Sequence, residues 1–204
     1  RLVAMSDFKD DRDQAFMAFK LHRFLSGAGH AHATLNAAGK RRVALAAEKF
    51  DRENIEARLY PMFFCRECGQ EVHSVTVDND GTVIARPIDQ TPRDGIDESG
   101  AERGFLVPDA KGDLNFAGSI DDYPDDWIEL TASGEPRLKA SHRGKHDGRL
   151  MILGANGRRD EHGVRSWFFP GKFRFCPHCR NQPPPGARDI NKLAGLSAEG
   201  RSSA

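Results

Sequence analysis

The 204-residue sequence has no run of about 18 apolar residues, so nothing in it reads as a membrane-spanning helix. No leader-like succession of basic, apolar and small residues opens it, and the expected compartment is the cytoplasm. Charge of one sign is missing too. Thirty Lys and Arg balance thirty Asp and Glu, which excludes a polyanion binder by bulk charge. The phosphate-loop pattern G-x-x-x-x-G-K-[ST] does not occur; "AAGKRR" at 37–42 lacks its first glycine and its hydroxyl. "DEHG" at 160–163 is not in DExH order and follows a turn, so it reads as a loop. "GAG" at 27–29 is better explained as a helix stop than as a phosphate loop. No histidine is followed by x-Glu, and phenylalanine, not proline, precedes each cysteine pair, which excludes the zinc-deaminase signature. No Ser/His/Asp arrangement follows from the spacing either. The chain carries no recognisable catalytic machinery of its own.

Cysteine is scarce, and its placement is the informative feature. All four cysteines fall in two CxxC pairs, Cys65 and Cys68 in "FFCRECGQE" (63–71), Cys176 and Cys179 in "FRFCPHCRN" (173–181). A CxxC between strands bends the chain into a knuckle whose sulfurs face one point, and Gly69 supplies the positive φ that such a turn needs. Two knuckles give four thiolates, the closed shell of structural zinc. The long separation is no obstacle, because loop-closure cost grows only logarithmically with length. The alternatives are a redox dithiol or unligated thiols. A thioredoxin-like pair precedes a helix, whereas here "EVHSVTV" reads as strand and three prolines follow the second pair. His73 and His178 lie close enough to replace a cysteine, but with four thiolates at hand they read as packing residues or as neighbours of the ligands. A catalytic zinc needs an open position and a general acid or base, and neither is evident. The expected cofactor is one structural Zn2+.

Elsewhere, residues 6–26 read as a helix capped by Ser6 and stopped by Gly27, with Met17, Leu21, Phe24 and Leu25 on one face. "HATL" and "RVALA" suggest short strands, and His30 and His32 alternate on one strand face, where they could bind metal, although an exposed pair is the plainer reading. "LYPMFF" leads into the first knuckle, and "EVHSVTV", "DNDG" and "TVIARP" form a hairpin after it. Residues 87–104 are poor in apolar groups and read as a connection. "YPDDWIEL" starts a short helix, "RLMIL" and "VRSWFF" are strands, "NQPPPGARD" is a stiff linker and "INKLAGLSAEG" a short helix. The expected fold class is α+β: an N-terminal helix followed by a strand-rich, zinc-ribbon-like module with long loops. Its divisions are 1–58 (helix and short hairpin), 59–181 (four-cysteine module with inserted loops at about 87–149) and 182–204 (proline-rich linker).

Acids crowd Asp109 to Glu129 and bases crowd Arg137 to Arg149. Two solvated loops are the plainer reading. Alternatively the basic stretch touches phosphates through Arg143, Lys145 and Arg149, with Gly144 and Gly148 letting the backbone come close. Trp167, Phe168 and Phe173 would then stack on bases, although such aromatics more often fill a core.

Five stretches, in order, carry a resemblance: "FKLHRFLSGAG" (19–29), "LYPMFFCRECGQEVHSV" (59–75), "YPDDWIEL" (123–130), "WFFPGKFRFCPHC" (167–179) and "INKLAGLSAEGRSSA" (190–204). Together they resemble the region between the two RecA-like motor domains of large bacterial superfamily 2 DEAD/DEAH-box helicases. The resemblance implies that Cys65, Cys68, Cys176 and Cys179 match that family's paired cysteines. It also implies that ATP and Mg2+ bind only in the parent chain, and that residues 1–58 lead out of the first lobe while 182–204 begin the second. A start at Arg1 and an end in "AEGRSSA" lead us to expect a piece of such a longer protein. Its partners would be the flanking motor domains and DNA or RNA, with no membrane. Arg180 departs from the pattern, since a glycine usually follows the second pair. The expected role is an accessory, structural and strand-guiding segment of an ATP-dependent helicase, not itself catalytic. The alternative is a stand-alone zinc-ribbon adaptor that binds protein.

Overall fold

A computed structural model describes residues 31–44, 48–89 and 100–196. The strands are β1 His32–Thr34, β2 Val43–Ala44, β3 Leu59–Cys65, β4 Glu71–Val77, β5 Val83–Ala85, β6 Glu102–Pro108, β7 Ile128–Leu130, β8 Pro136–Leu138, β9 Arg149–Leu153, β10 Val164–Pro170 and β11 Leu193–Gly195. A nine-stranded sheet runs β2-β1-β3-β4-β6-β10-β9, with β11 also on β3 and β5 also on β4, while β7 and β8 form a separate hairpin. Every pairing is antiparallel.

The expected α+β class is corrected by this topology. Among the described residues an antiparallel sheet dominates, and the longest helix is α1, Asp189–Lys192, of four residues. The helix expected over 6–26 lies outside the described residues. The physical reason for the β dominance is burial of the sheet on both faces. In β3, "LYPMFFC", six of seven residues are buried, and strands covered on both sides lose the alternation that marks a half-exposed strand. β6 is the longest strand that the sequence hid: its polar start, Glu102 and Arg103, continues the apolar-poor stretch before it. Phe105, Leu106 and Val107 nevertheless occupy the centre of the sheet, with Leu106 opposite both His73 of β4 and Phe168 of β10.

Alternation then sorts the aromatics onto two faces. On one lie Phe63, Phe105, Val107, Trp167 and Phe169, covered by Leu114, Phe116, Tyr123 and Trp127 from the excursion between β6 and β9. Phe116 meets Trp167, Phe169 and Tyr123 edge-on at centroid separations of 4.7, 5.3 and 5.4 Å. This is the geometry that aromatic quadrupoles favour. On the other face lie Tyr60, Val75, Leu106, Met151, Leu153 and Phe168. There the turn after β9 curls back, with Ala155 O accepting from Arg58 N and Gly157 O from Val83 N, both at 2.8 Å. Burying each such large side chain contributes about 1.5–3 kcal/mol, so both faces add substantially to stability. The helix read from "INKLAG" also ends early. Leu193 leaves α1 to fill the core, and Leu193–Gly195 pair with β3 opposite Cys65 to Phe63.

Candidate metal centre

The buried strand β3 ends at Cys65 and β4 begins at Glu71, so the first knuckle occupies the turn between two paired strands. Its backbone closes twice: Cys65 N donates to Gln70 O and Gly69 N donates to Cys65 O, both at 2.9 Å. Gly69 has φ +76°. The second knuckle repeats the pattern, with Cys176 N donating to Asn181 O at 2.9 Å and Arg180 N to Cys176 O at 2.8 Å. Arg180 takes the place of Gly69 at φ +62°, the one non-glycine residue with positive φ among those described. The departure seen in the sequence therefore leaves the turn intact and places its cost on one backbone residue.

The two knuckles bring all four sulfurs together, within 4.8 Å of one another. The cysteines are free, and the shortest approaches cross between knuckles: Cys65 Sγ to Cys179 Sγ at 3.8 Å, Cys68 Sγ to Cys176 Sγ at 3.6 Å. A tetrahedral shell with metal–sulfur bonds of about 2.3 Å has edges of about 3.8 Å. The spacing matches that edge and is far beyond a disulfide bond of about 2.05 Å. The four cysteines thus form one group that could hold a metal ion, and the possibility of two separate pairs is excluded.

Electrostatics agree with the donor set. Burial disfavours the Cys65 thiolate, but amides of Cys68 and Glu67 that donate to its sulfur outweigh this and bring the thiol below its ordinary value. Burial pushes the Cys68 thiol up to about 11, partly offset by the Gln70 amide. It pushes Cys176 up as well, despite donation from the Cys179 and His178 amides. Sulfurs held by amide dipoles yet penalised as bare anions are the groups that a bound dication stabilises. The residues fit a soft, tetrahedral metal.

Neither neighbouring histidine joins the cluster. His73 is buried in the sheet, its Nδ1 2.9 Å from Pro61 O and its Nε2 3.0 Å from Glu71 Oε1. His178 sits within the second knuckle and contributes its amide. His32 lies in β1, and His30 lies outside the described residues. Asp160 and His162 belong to the turn between β9 and β10, so "DEHG" is a loop.

The three basic candidates separate. Arg143 and Lys145 are exposed on a turn from Lys139 to His146, beside His142, which stacks on Trp127 at 4.2 Å. Arg149 instead starts β9, pairs with Glu102 and lies 4.9 Å over the Phe168 ring. Gly148 does not serve a ligand's approach: a Cβ there would lie 2.8 Å from Phe169 and 3.0 Å from Phe116. Trp167, Phe168 and Phe173 are 5, 0 and 3% exposed and fill the core. Sequence reasoning missed the residues that support the knuckles from α1 and β11: the partners of Arg66 lie more than a hundred positions away, and those of Phe173 lie beyond the proline-rich linker.

Compared with known protein families, curated proteins and solved structures, the chain has no significant match. Among the described residues no helix is long and apolar enough to cross a membrane.

Proposed function

We propose that the chain is a non-catalytic β module stapled by one zinc ion on Cys65, Cys68, Cys176 and Cys179. The convergence of four thiols from two knuckles into one group with tetrahedral edge lengths carries this reading. Four protein ligands close the shell, leaving no position for substrate or for an activated water, so the metal's role is structural. It ties the turn after β3 to the segment after β10, two parts of the chain that also meet through the aromatic core and through residues 189–195.

We further propose that the module acts as an accessory region of an ATP-dependent nucleic-acid helicase. This part rests on the resemblance of the five segments, and its contact is the exposed turn carrying Arg143 and Lys145. Arg149, held by Glu102 and Phe168, takes the lesser part. Phosphate contacts release counterions, so binding should fall steeply with salt and show little sequence preference. Metal analysis of the purified chain, followed by anisotropy titrations of single-stranded oligonucleotides at several salt concentrations, tests both parts. One zinc per chain and a shallower salt slope in the Arg143→Ala/Lys145→Ala variant are expected. Absence of a stoichiometric metal overturns the first part. An unchanged slope overturns the second and favours a protein-binding adaptor.

A further inference from the structure

Residues 189–195 bridge the first knuckle and the arm of the second. On the first knuckle, Leu193 pairs with Cys65 itself. Arg66, the residue after that cysteine, donates from Nε to Asn191 O and from Nη2 to Leu193 O, both at 3.0 Å. On the arm of the second knuckle, three residues before Cys176, the backbone of Phe173 is gripped from both sides. Asp189 Oδ1 accepts from Phe173 N at 3.3 Å, and Lys192 Nζ donates to Phe173 O at 2.8 Å. Lys192 and Asp189 also pair with each other at 3.0 Å. Both are buried, at 6 and 7% exposure. A buried pair of this kind is costly to break by halves, so the grip is held or released as a unit. The same tail continues along this edge of β3 to the start of β1, where Ala31 N donates to Leu196 O at 2.9 Å.

We infer that α1 and β11 form a metal-dependent latch: occupancy of the thiol site seats residues 189–195, and the seated tail in turn tightens metal binding. The inference rests on the metal reading above. A metal fixes Cys65 relative to Cys176 and thereby holds Arg66 and Phe173 at the separation that the tail spans. Removing the metal frees one end of that span relative to the other. By linkage, whatever factor the metal adds to tail docking, tail docking adds to metal affinity. The chain's course beyond the proline-rich strap would thus be set by metal loading.

Hydrogen exchange on the full 204-residue chain tests this, with zinc added and then withdrawn by a chelator. Amides in 189–195 are expected to exchange roughly tenfold faster without metal, while those of β10 keep their protection. If metal removal unfolds the whole chain, the Arg66→Ala variant decides the question, because it retains all four thiols. It should still bind one zinc, about tenfold more weakly by chelator competition, as loss of groups supporting metal ligands does elsewhere. Its tail should exchange faster while β10 does not. Unchanged tail exchange on metal removal overturns the latch, as does an Arg66→Ala variant whose tail loosens at unaltered zinc affinity. A wild-type chain that takes up no zinc fails at the earlier step and overturns the metal reading as well.

Discussion

The two knuckles have the same backbone and different sequences. Each closes with the same pair of hydrogen bonds, from the amide of its first cysteine and to that cysteine's carbonyl. At the fifth position the first uses Gly69 and the second Arg180, both at positive φ. What is held constant is the geometry that aims two sulfurs at one point, and a residue type that pays a backbone penalty is tolerated where the rest of the site insists on the turn. The first knuckle follows a buried strand and precedes another. The second follows Phe173 and Phe175 and leads into prolines, and the tail holds both, the first through Arg66 and the second through Phe173.

The largest expected effect removes a ligand from the less regular knuckle. Cys176→Ser should abolish stoichiometric zinc uptake and lower stability by several kcal/mol, because metal binding and folding share their free energy in such sites. Thermal melts with and without chelator check this. A variant that melts like wild type in zinc would show that the fold does not use the metal.

Exchanging the fifth residues separates the knuckles by sign. Arg180→Gly should stabilise by about 1 kcal/mol, since a left-handed conformation costs a non-glycine residue about that much. Gly69→Ala should destabilise by a similar amount, although a Cβ there meets no atom within 4 Å, so the effect is one of backbone alone. Denaturant midpoints that move in the same direction would contradict the shared geometry.

How much of this was legible in the sequence depends on what each residue's partner was. The thiol cluster could be read because CxxC carries its geometry locally, and pairing of the two motifs needed only chemistry. The strands flanking the knuckles could be read for the same reason, as short apolar runs bounded by turns. β6 could not, because its identity comes from pairing with β4 and β10 along its edges and from the two clusters that cover its faces, not from its own composition. The expected α+β class gave way for a related cause: α1 stops where Leu193 gains a core position and an edge of β3. The basic stretch was read as one unit, yet the structure divides it, since Gly148 is fixed by Phe116 and Phe169 and Arg149 by Glu102.

That division gives a smaller test. Arg149→Ala should cost about 0.5–1 kcal/mol from its exposed ion pair and its place over Phe168. Arg143→Ala and Lys145→Ala should leave stability unchanged within about 0.5 kcal/mol. Chemical denaturation of the three variants makes the comparison, and equal costs would mean that the turn is not separate from β9.

The smallest expected effect is one of pH, at Glu71, where β4 leaves the first knuckle. Burial would raise the Glu71 carboxyl, but its contacts with His73 and Arg41 bring it below its ordinary 4.5. A depressed carboxyl contributes stability above that ordinary value and loses it as pH falls through the folded one. Glu71→Gln should therefore show a shallower fall in stability below about pH 4.5, by up to about 1 kcal/mol, at matched metal content. Identical acid limbs would remove Glu71 from the account.

The central claim is a single metal shared by four thiolates from two knuckles, and X-ray absorption on the zinc-loaded chain tests it most directly. The account predicts one zinc per chain with four sulfur neighbours at about 2.3 Å and no lighter ligand. A shell containing nitrogen or oxygen, or fewer than four sulfurs per zinc, would contradict it.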